Sequence, residues 1–177
     1  MQKLALTPDG LRLFFRNRDI NRPIQVTPEI RCRVLSWCAY IGRLDLVREI
    51  VQTLGADVRL DDDEAFRLAA ESGHLDVVDY LVSCGADIHA KSEYALIHAS
   101  GNGYFDVVVY LINRGADVFA LGSYAVQNAI RNDRVRIVRY LIENTAVQIA
   151  DRELRAREIA DDYQSSQVLE YFDELGI

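Results

Sequence analysis

The chain has 177 residues and a formal net charge of −7, and 50% of its residues are hydrophobic while 27% are charged. This composition, with only ten Gly and three Pro, is typical of a globular domain and excludes disordered and fibrous proteins. No segment approaches the ~20 uninterrupted apolar residues that a transmembrane helix needs.

The charge is unevenly distributed along the chain. Residues 1–50 carry a net charge of +4, residues 51–120 carry −8 and residues 121–177 carry −3. An acidic centre repels phosphate backbones, so nucleic acid is a disfavoured partner. Eighteen of the twenty basic residues are Arg, and the Arg-rich ends leave open a local contact with an anionic ligand, either nucleic acid or lipid.

Residues 1–27 lack the features of a secretory signal, because only one basic residue and a very short apolar run precede Asp9. The three cysteines have no metal-ligand spacing, which favours a reducing, intracellular location: the cytoplasm, or the host cytoplasm for a viral protein or effector. We expect Cys32 and Cys38 to be buried as small apolar residues. We expect residues 1–27 to cap the apolar end of the fold that follows, with a partner-docking segment as the alternative.

The next segment begins at Thr27-Pro28-Glu29, which predicts a helix with Thr27 as its N-cap. A repeat follows, because Gly55-Ala56-Asp57, Gly85-Ala86-Asp87 and Gly115-Ala116-Asp117 are spaced 30 residues apart. Weaker matches on both sides extend this period to five units. We place the units at residues 28–59, 60–89, 90–119, 120–149 and 150–177.

Each unit predicts two short antiparallel helices. In the second unit, Phe66, Ala69 and Ala70 form a narrow apolar stripe on the first helix, and the second helix ends at Gly85 as a left-handed C-cap. Helices this short are marginal alone, since isolated helices need about 12–15 residues. The units must therefore stack into a linear array with a continuous core.

The order and spacing of Leu68-Ala69-Ala70, Gly73-His74, Val77-Val78 and Gly85-Ala86-Asp87 resemble the ankyrin repeat family. The resemblance implies an all-α fold, an ankyrin-repeat solenoid of stacked helix-turn-helix units. The period here is 30 residues rather than the family's ~33. The difference implies short turns in place of long hairpin fingers, similar to the repeats of giant DNA viruses and amoeba-associated microbes.

The internal units lack the Thr-Pro with which first helices of this family begin. We therefore expect Asp63, Ser92 and Ser123 to cap them. The acidic run Asp61-Asp62-Asp63-Glu64 lacks the spacing of a calcium-binding loop. We expect it to be solvated at a helix N-terminus, with contact to a basic partner as the alternative.

No catalytic or metal-binding motif is present, so the sequence predicts a protein that is not an enzyme and has no cofactor and no metal. We expect His98 to be a packed, hydrogen-bonded core residue. We expect His74 to bond backbone groups between repeats and His89 to lie on the surface.

Two Arg clusters lie near the C-terminus. We expect a solvated face with ion pairs to Asp133, Glu153 and Glu158, and a patch for an anion or an acidic partner is the alternative. The clusters comprise Arg131, Arg134, Arg136 and Arg139, and then Arg152, Arg155 and Arg157.

The resemblance implies a non-enzymatic protein–protein interaction module, an adaptor or host-directed effector, which binds a protein partner over its concave face and inter-repeat turns. The alternatives are a self-associating structural protein and binding of an anionic ligand through the Arg-rich ends; we expect a monomer or weak oligomer. Because aromatic and Arg residues usually dominate interface energy, we expect Tyr40, Arg67, Phe119 and Arg131 to contribute most. The register predicts these binding residues: Tyr40, Ile41, Asp61, Asp63, Arg67, Glu71, His89, Lys91, Glu93, Ile97, Asn102, Phe119, Ser123, Gln127 and Arg131.

Overall fold

The structure is a computed structural model that describes residues 27–145 and 155–176. The predicted cap lies outside these ranges except for Thr27. Within the described residues all regular secondary structure is α-helical, as predicted, and one helix pair lies in each of the five predicted units. The helices are α1 Pro28–Tyr40, α2 Leu44–Leu54, α3 Leu60–Glu71, α4 Leu75–Ser83, α5 Ala90–Asn102, α6 Phe105–Asn113, α7 Ala120–Arg131, α8 Val135–Asn144, α9 Ala156–Asp162 and α10 Ser166–Leu175.

The N-terminus of α1 forms as the sequence predicts. The hydroxyl of Thr27 accepts a hydrogen bond from the N–H of Ile30 (3.4 Å), and Pro28 occupies the first turn. Glu29 lies in the same turn, where its negative charge favours the positive end of the helix dipole.

One apolar core runs through the stack. Each second helix contributes three buried residues at helical spacing, among them Val77, Val78 and Leu81 of α4. Each fully buried side chain of this size stabilises the fold by roughly 1.5–3 kcal/mol. Cys32 and Cys38 are buried in this core as predicted, and burial raises the pKa of the Cys38 thiol to about 11. The Cys38 thiol is therefore protonated at neutral pH.

The helices form two layers, and the inner layer is the more tightly packed. Neighbouring first helices, α1 to α9 in alternation, contact each other more extensively than neighbouring second helices do. The inner contacts involve small residues with no exposed surface, such as Ala39, Ala69, Ala99 and Ala129. Close approach on one side only makes the stack curve, so the first helices line its concave face.

Longer side chains bridge the wider spacing of the outer layer. The guanidinium of Arg48 lies over the ring of Tyr80 (5.4 Å), and that of Arg139 lies over Tyr171 (4.3 Å). The hydroxyl of Tyr110 donates to Asp79 (2.9 Å), and burial together with this bond raises the pKa of Tyr110 to about 12. Cation–π and hydrogen-bonded pairs of this kind stabilise neighbouring repeats against each other.

Three of the first helices, α3, α5 and α7, contain a left-handed turn of three residues directly after their first residue. Residues 61–63, 91–93 and 121–123 all have φ between 50° and 69°. These turns replace the long fingers, which confirms that the connections are short. In addition, the carboxylates of Asp57, Asp87 and Asp117 each accept the N–H of the residue two positions on (2.8–2.9 Å), which tightens the chain before the turn.

The left-handed turns overturn the predicted N-caps. Asp63, Ser92 and Ser123 are themselves in the left-handed region, whereas an N-cap residue usually has extended backbone angles. No side-chain cap hydrogen bond forms at these helices. The carboxylate of Asp63 instead accepts the N–H of Asp87 (2.9 Å) and so links two repeats.

Substitution of Leu121 by Gly tests the left-handed turn. Leu121 has φ 52° and is 65% exposed, and a left-handed L-residue costs about 1–2 kcal/mol that Gly does not incur. We expect Leu121→Gly to raise the unfolding free energy in urea, because little buried surface is lost. The matched variant Gly122→Ala should lower it, and a destabilising Leu121→Gly would contradict this turn conformation.

His89 at the end of the second unit and Glu93 at the start of the third form a pH-dependent pair. Nδ1 of His89 contacts a carboxylate oxygen of Glu93, whose side chain is only 5% exposed, and this hydrogen bond raises the pKa of His89 above its ordinary 6.5. Asp87 and Asp117 act in the same direction.

The raised pKa predicts how stability depends on pH. Protonated His89 favours the folded state, so its contribution is complete below pH 6.5 and is lost as pH rises through the raised pKa. We therefore expect the difference in unfolding free energy between wild type and His89→Gln to shrink from acidic to alkaline pH. A difference that stays constant in denaturant titrations across this range would show that the pair is not coupled to folding.

Candidate interaction surface

The fifteen predicted binding residues differ widely in exposure. The first helices and the turns before them bring all of them to the concave side, but not all reach the surface. Tyr40, Asp61, His89, Lys91, Asn102 and Phe119 are exposed; Ile41, Glu71, Ser123, Gln127 and Arg131 are partly buried; Asp63, Arg67, Glu93 and Ile97 are buried.

The placement of Arg67 on an exposed surface is wrong. Its Nε donates to the carbonyl of Asp62 (2.8 Å) and its Nη2 to the carbonyl of Asp61 (3.0 Å). These carbonyls belong to the left-handed turn, where the backbone angles are not those of a continuous α-helix. The guanidinium also lies over the ring of Tyr94 (5.0 Å), so Arg67 holds the turn to its own helix and to the next repeat.

The other three buried positions are structural for related reasons. Asp63 bonds the backbone of Asp87, Glu93 contacts His89, and Ile97 is 5% exposed within the core. Gln127, which follows Ile97 by one period, donates to the carbonyl of Gly122 (2.8 Å) and so repeats the role of Arg67 in the fourth unit.

The N-terminal part of the face contains an aromatic pair, only half of which the sequence identified. The rings of Trp37 and Tyr40 stack at 5.8 Å, and both side chains are about half exposed. His74 Nε2 donates to the carbonyl of Tyr40 (3.0 Å), which confirms the predicted bond between repeats. The position of Trp37 four residues before Ile41, on the same helix side, was the available signal.

A second group surrounds Tyr94 in the middle of the face. Its hydroxyl donates to Glu71 (2.9 Å), and its ring stacks on His98 at 3.9 Å. His98 packs against Tyr94, but the predicted hydrogen-bonded core position is wrong, because His98 is half-buried and its ring forms no hydrogen bond with a described residue. Burial raises the pKa of Tyr94, and the bond to Glu71 adds to this effect. The recurrence of Tyr at positions 94 and 124, one period apart, is the sequence signal for this group.

The C-terminal part of the face centres on Arg131. Its guanidinium lies over the ring of Tyr124 (5.4 Å) and over that of Tyr163 in the next repeat (5.5 Å). Phe119 and Leu121 are exposed in the preceding turn.

Most other Arg residues of the two predicted clusters act between repeats. Arg134 donates to the carbonyl of Gly101 (3.0 Å) and Arg136 lies over Phe105 (4.0 Å), both in the preceding repeat. Arg155 pairs instead with Glu158 within the fifth unit (3.6 Å), as predicted. Asp133 forms no ion pair with the described Arg residues; its carboxylate accepts the N–H groups of Gln167 and Val168 at the start of α10. Arg152 and Glu153 lie outside the described residues.

Within residues 27–145 and 155–176, no group of three or more His, Cys, Asp or Glu side chains is arranged to hold a metal ion. In the same part of the chain no helix has the length and apolar character required to cross a membrane.

The substitution Arg67→Ala tests whether Arg67 stabilises the left-handed turn. The substitution leaves the carbonyls of Asp61 and Asp62 without their donors, at a cost of about 1–3 kcal/mol. We expect a corresponding loss of unfolding free energy in urea. Arg33→Ala, which removes an exposed Arg of α1, should be nearly neutral, and equal stability of the two variants would argue against the turn contact.

Comparison with known proteins agrees with this geometry. A family model described as ankyrin repeats in three copies matches residues 12–92 and residues 68–153, which together exceed half of the chain. No curated protein matches the sequence.

Proposed function

The chain belongs to the ankyrin repeat family, whose members are generally protein-interaction modules, and we propose that it binds a protein partner over its concave face and inter-repeat turns. Members of the family are typically non-enzymatic. In this proposal the protein has no reaction of its own and serves as an adaptor or effector that holds its partner.

The distribution of exposed apolar side chains carries the proposal. Eight large hydrophobic side chains are exposed among the described residues, and six of them lie in first helices, in the turns at the start of these helices or, as Tyr163 does, directly after α9. These six are Trp37, Tyr40, Phe119, Leu121, Tyr124 and Tyr163. Exposed aromatic residues concentrated on one face are typical of interaction surfaces, because they bury a large area with little loss of side-chain entropy.

The fold does not need these side chains for its own stability. Trp37 and Tyr40 are 48% and 47% exposed, and Phe119 is 50% exposed, while the core is complete beneath them. A partner that covers them would gain their apolar surface without unfolding any repeat.

A triple variant tests the concave face. We expect Trp37→Ala, Tyr40→Ala and Phe119→Ala together to abolish or strongly weaken capture of a stoichiometric protein from a lysate of the source cell, since single hot-spot residues each contribute more than about 1 kcal/mol. The matched control is Leu175→Ala, which removes an equally exposed apolar side chain from the outer helix α10.

Two results would contradict the proposal. Equal capture by the triple variant and the control would move the binding surface elsewhere. A protein that self-associates in light scattering, with the same mass for the triple variant, would favour a structural role. Trp37 is the only Trp of the chain, so its fluorescence reports directly on a partner that covers this face.

A further inference from the structure

Arg131 is the basic side chain of the concave face whose position is set by stacking alone. The rings of Tyr124 and Tyr163 lie against its guanidinium at 5.4 Å and 5.5 Å from their centroids. Its Nε is buried without a hydrogen-bond partner, and no described residue forms an ion pair with it. Arg67, by contrast, uses its N–H groups on two backbone carbonyls.

Stacking orients a guanidinium without using its hydrogen-bond donors. Aromatic rings contact the faces of the planar group, whereas its N–H bonds point outward in the plane. Because its Nε is buried, Arg131 can offer an incoming ligand only its two Nη groups, and a carboxylate matches these two groups with two parallel hydrogen bonds.

The surrounding residues leave these two Nη groups without an internal carboxylate. The same register position in the preceding repeat is Gly101, which has no side chain, and the amides of Asn128 and Asn132 lie against it. Asp161 and Asp162 are exposed at the end of α9, and neither pairs with Arg131. Arg131 is therefore a cation that no described carboxylate neutralises.

The charges around Arg131 also limit how many negative charges its ligand can carry. Asp161 and Asp162 follow on one side, and the acidic segment of residues 51–120 forms the preceding repeats. A nucleic acid or an anionic membrane would meet these carboxylates with many phosphates, which is unfavourable. A single carboxylate on a peptide meets only Arg131.

We propose that Arg131, whose guanidinium lies over Tyr124 and Tyr163, binds a single carboxylate side chain of the partner protein. This inference rests on the protein-binding function proposed above. The partner segment lies across α7 and α9, with the carboxylate at the Nη groups of Arg131 and apolar residues against the exposed rings of Tyr124 and Tyr163.

Short labelled peptides test this proposal in the full chain. The probe is a peptide with a single Glu between Gly residues, flanked by Leu, and its controls are the same peptide with Gln or with Lys in place of Glu. A short oligothymidylate and inorganic phosphate serve as anions of other classes. Binding is measured by fluorescence anisotropy at low and at physiological salt.

The protein variants distinguish two contributions to binding, the paired hydrogen bonds of the guanidinium and its positive charge. Arg131→Gln removes the cation, Arg131→Lys keeps the charge without the paired Nη donors, and Arg33→Gln removes a matched exposed Arg of α1. Thermal unfolding by circular dichroism shows that each variant is folded, and Arg131→Lys provides the comparison if Arg131→Gln is unstable.

We expect the Glu peptide to bind wild type at least about tenfold more tightly than the Gln peptide, a difference of about 1.4 kcal/mol. Arg131→Gln should lose about that factor, Arg131→Lys most of it, and Arg33→Gln less than about twofold. We also expect inorganic phosphate to displace the bound Glu peptide only at concentrations far above that of the peptide. This result would support a site that prefers a carboxylate.

Several outcomes would overturn the inference. They are absence of binding by the Glu peptide, equal losses in Arg131→Gln and Arg33→Gln, and tighter binding of the oligothymidylate than of the Glu peptide. Binding of the Gln or Lys peptide that disappears in the triple variant of Trp37, Tyr40 and Phe119 would overturn the carboxylate assignment while supporting the proposed function. The triple variant leaves Arg131 unchanged, so its partner capture tests the proposed function separately from the role of Arg131.

Discussion

Close contact between neighbouring first helices is the interaction on which the rest of the structure depends. Helices of 7 to 13 residues have little stability alone, so each pair is stable only when its apolar side is covered by the next. Small residues such as Ala69 and Ala99 allow this contact because they add no bulk between the helix axes. Since the outer helices are separated by Tyr and Arg side chains, the stack curves and the concave face follows from the same contact.

The short connections between repeats impose a second constraint, which determines which side chains remain available for binding. A left-handed turn brings the chain round in three residues, but its carbonyls need donors from outside the turn. Arg67 and Gln127 supply them from the first helix, and Asp63 links the turn to the next repeat. Polar side chains near the turns are therefore largely engaged within the fold, and the exposed aromatic residues form the remaining surface.

This division explains how far the sequence could predict the structure. The 30-residue period, the helix pairs, the Thr27 cap, the buried cysteines and the bond from His74 follow from local patterns, because each depends on residues at fixed separations. The burial of Arg67 and Glu93 depends on a left-handed turn that neither Asp-Asp-Asp nor Lys-Ser-Glu indicates from its composition. Trp37 is 48% exposed although the helix around it is apolar, so composition alone does not indicate its exposure, and only its spacing from Ile41 does.

Arg67 and Arg131 show why residue type alone does not identify a binding residue in a repeat protein. Both are Arg on first helices, both stack on Tyr, and both are largely covered. Arg67 lies within reach of two turn carbonyls, so its donors stabilise the fold. The guanidinium of Arg131 lies over two Tyr rings and forms no ion pair with a described residue, and its Nε is buried without a hydrogen-bond partner. Because the backbone acceptors are fixed by the repeat, an Arg a few residues further along the first helix is out of reach of the turn carbonyls, and the proposed function assigns such an Arg to the partner.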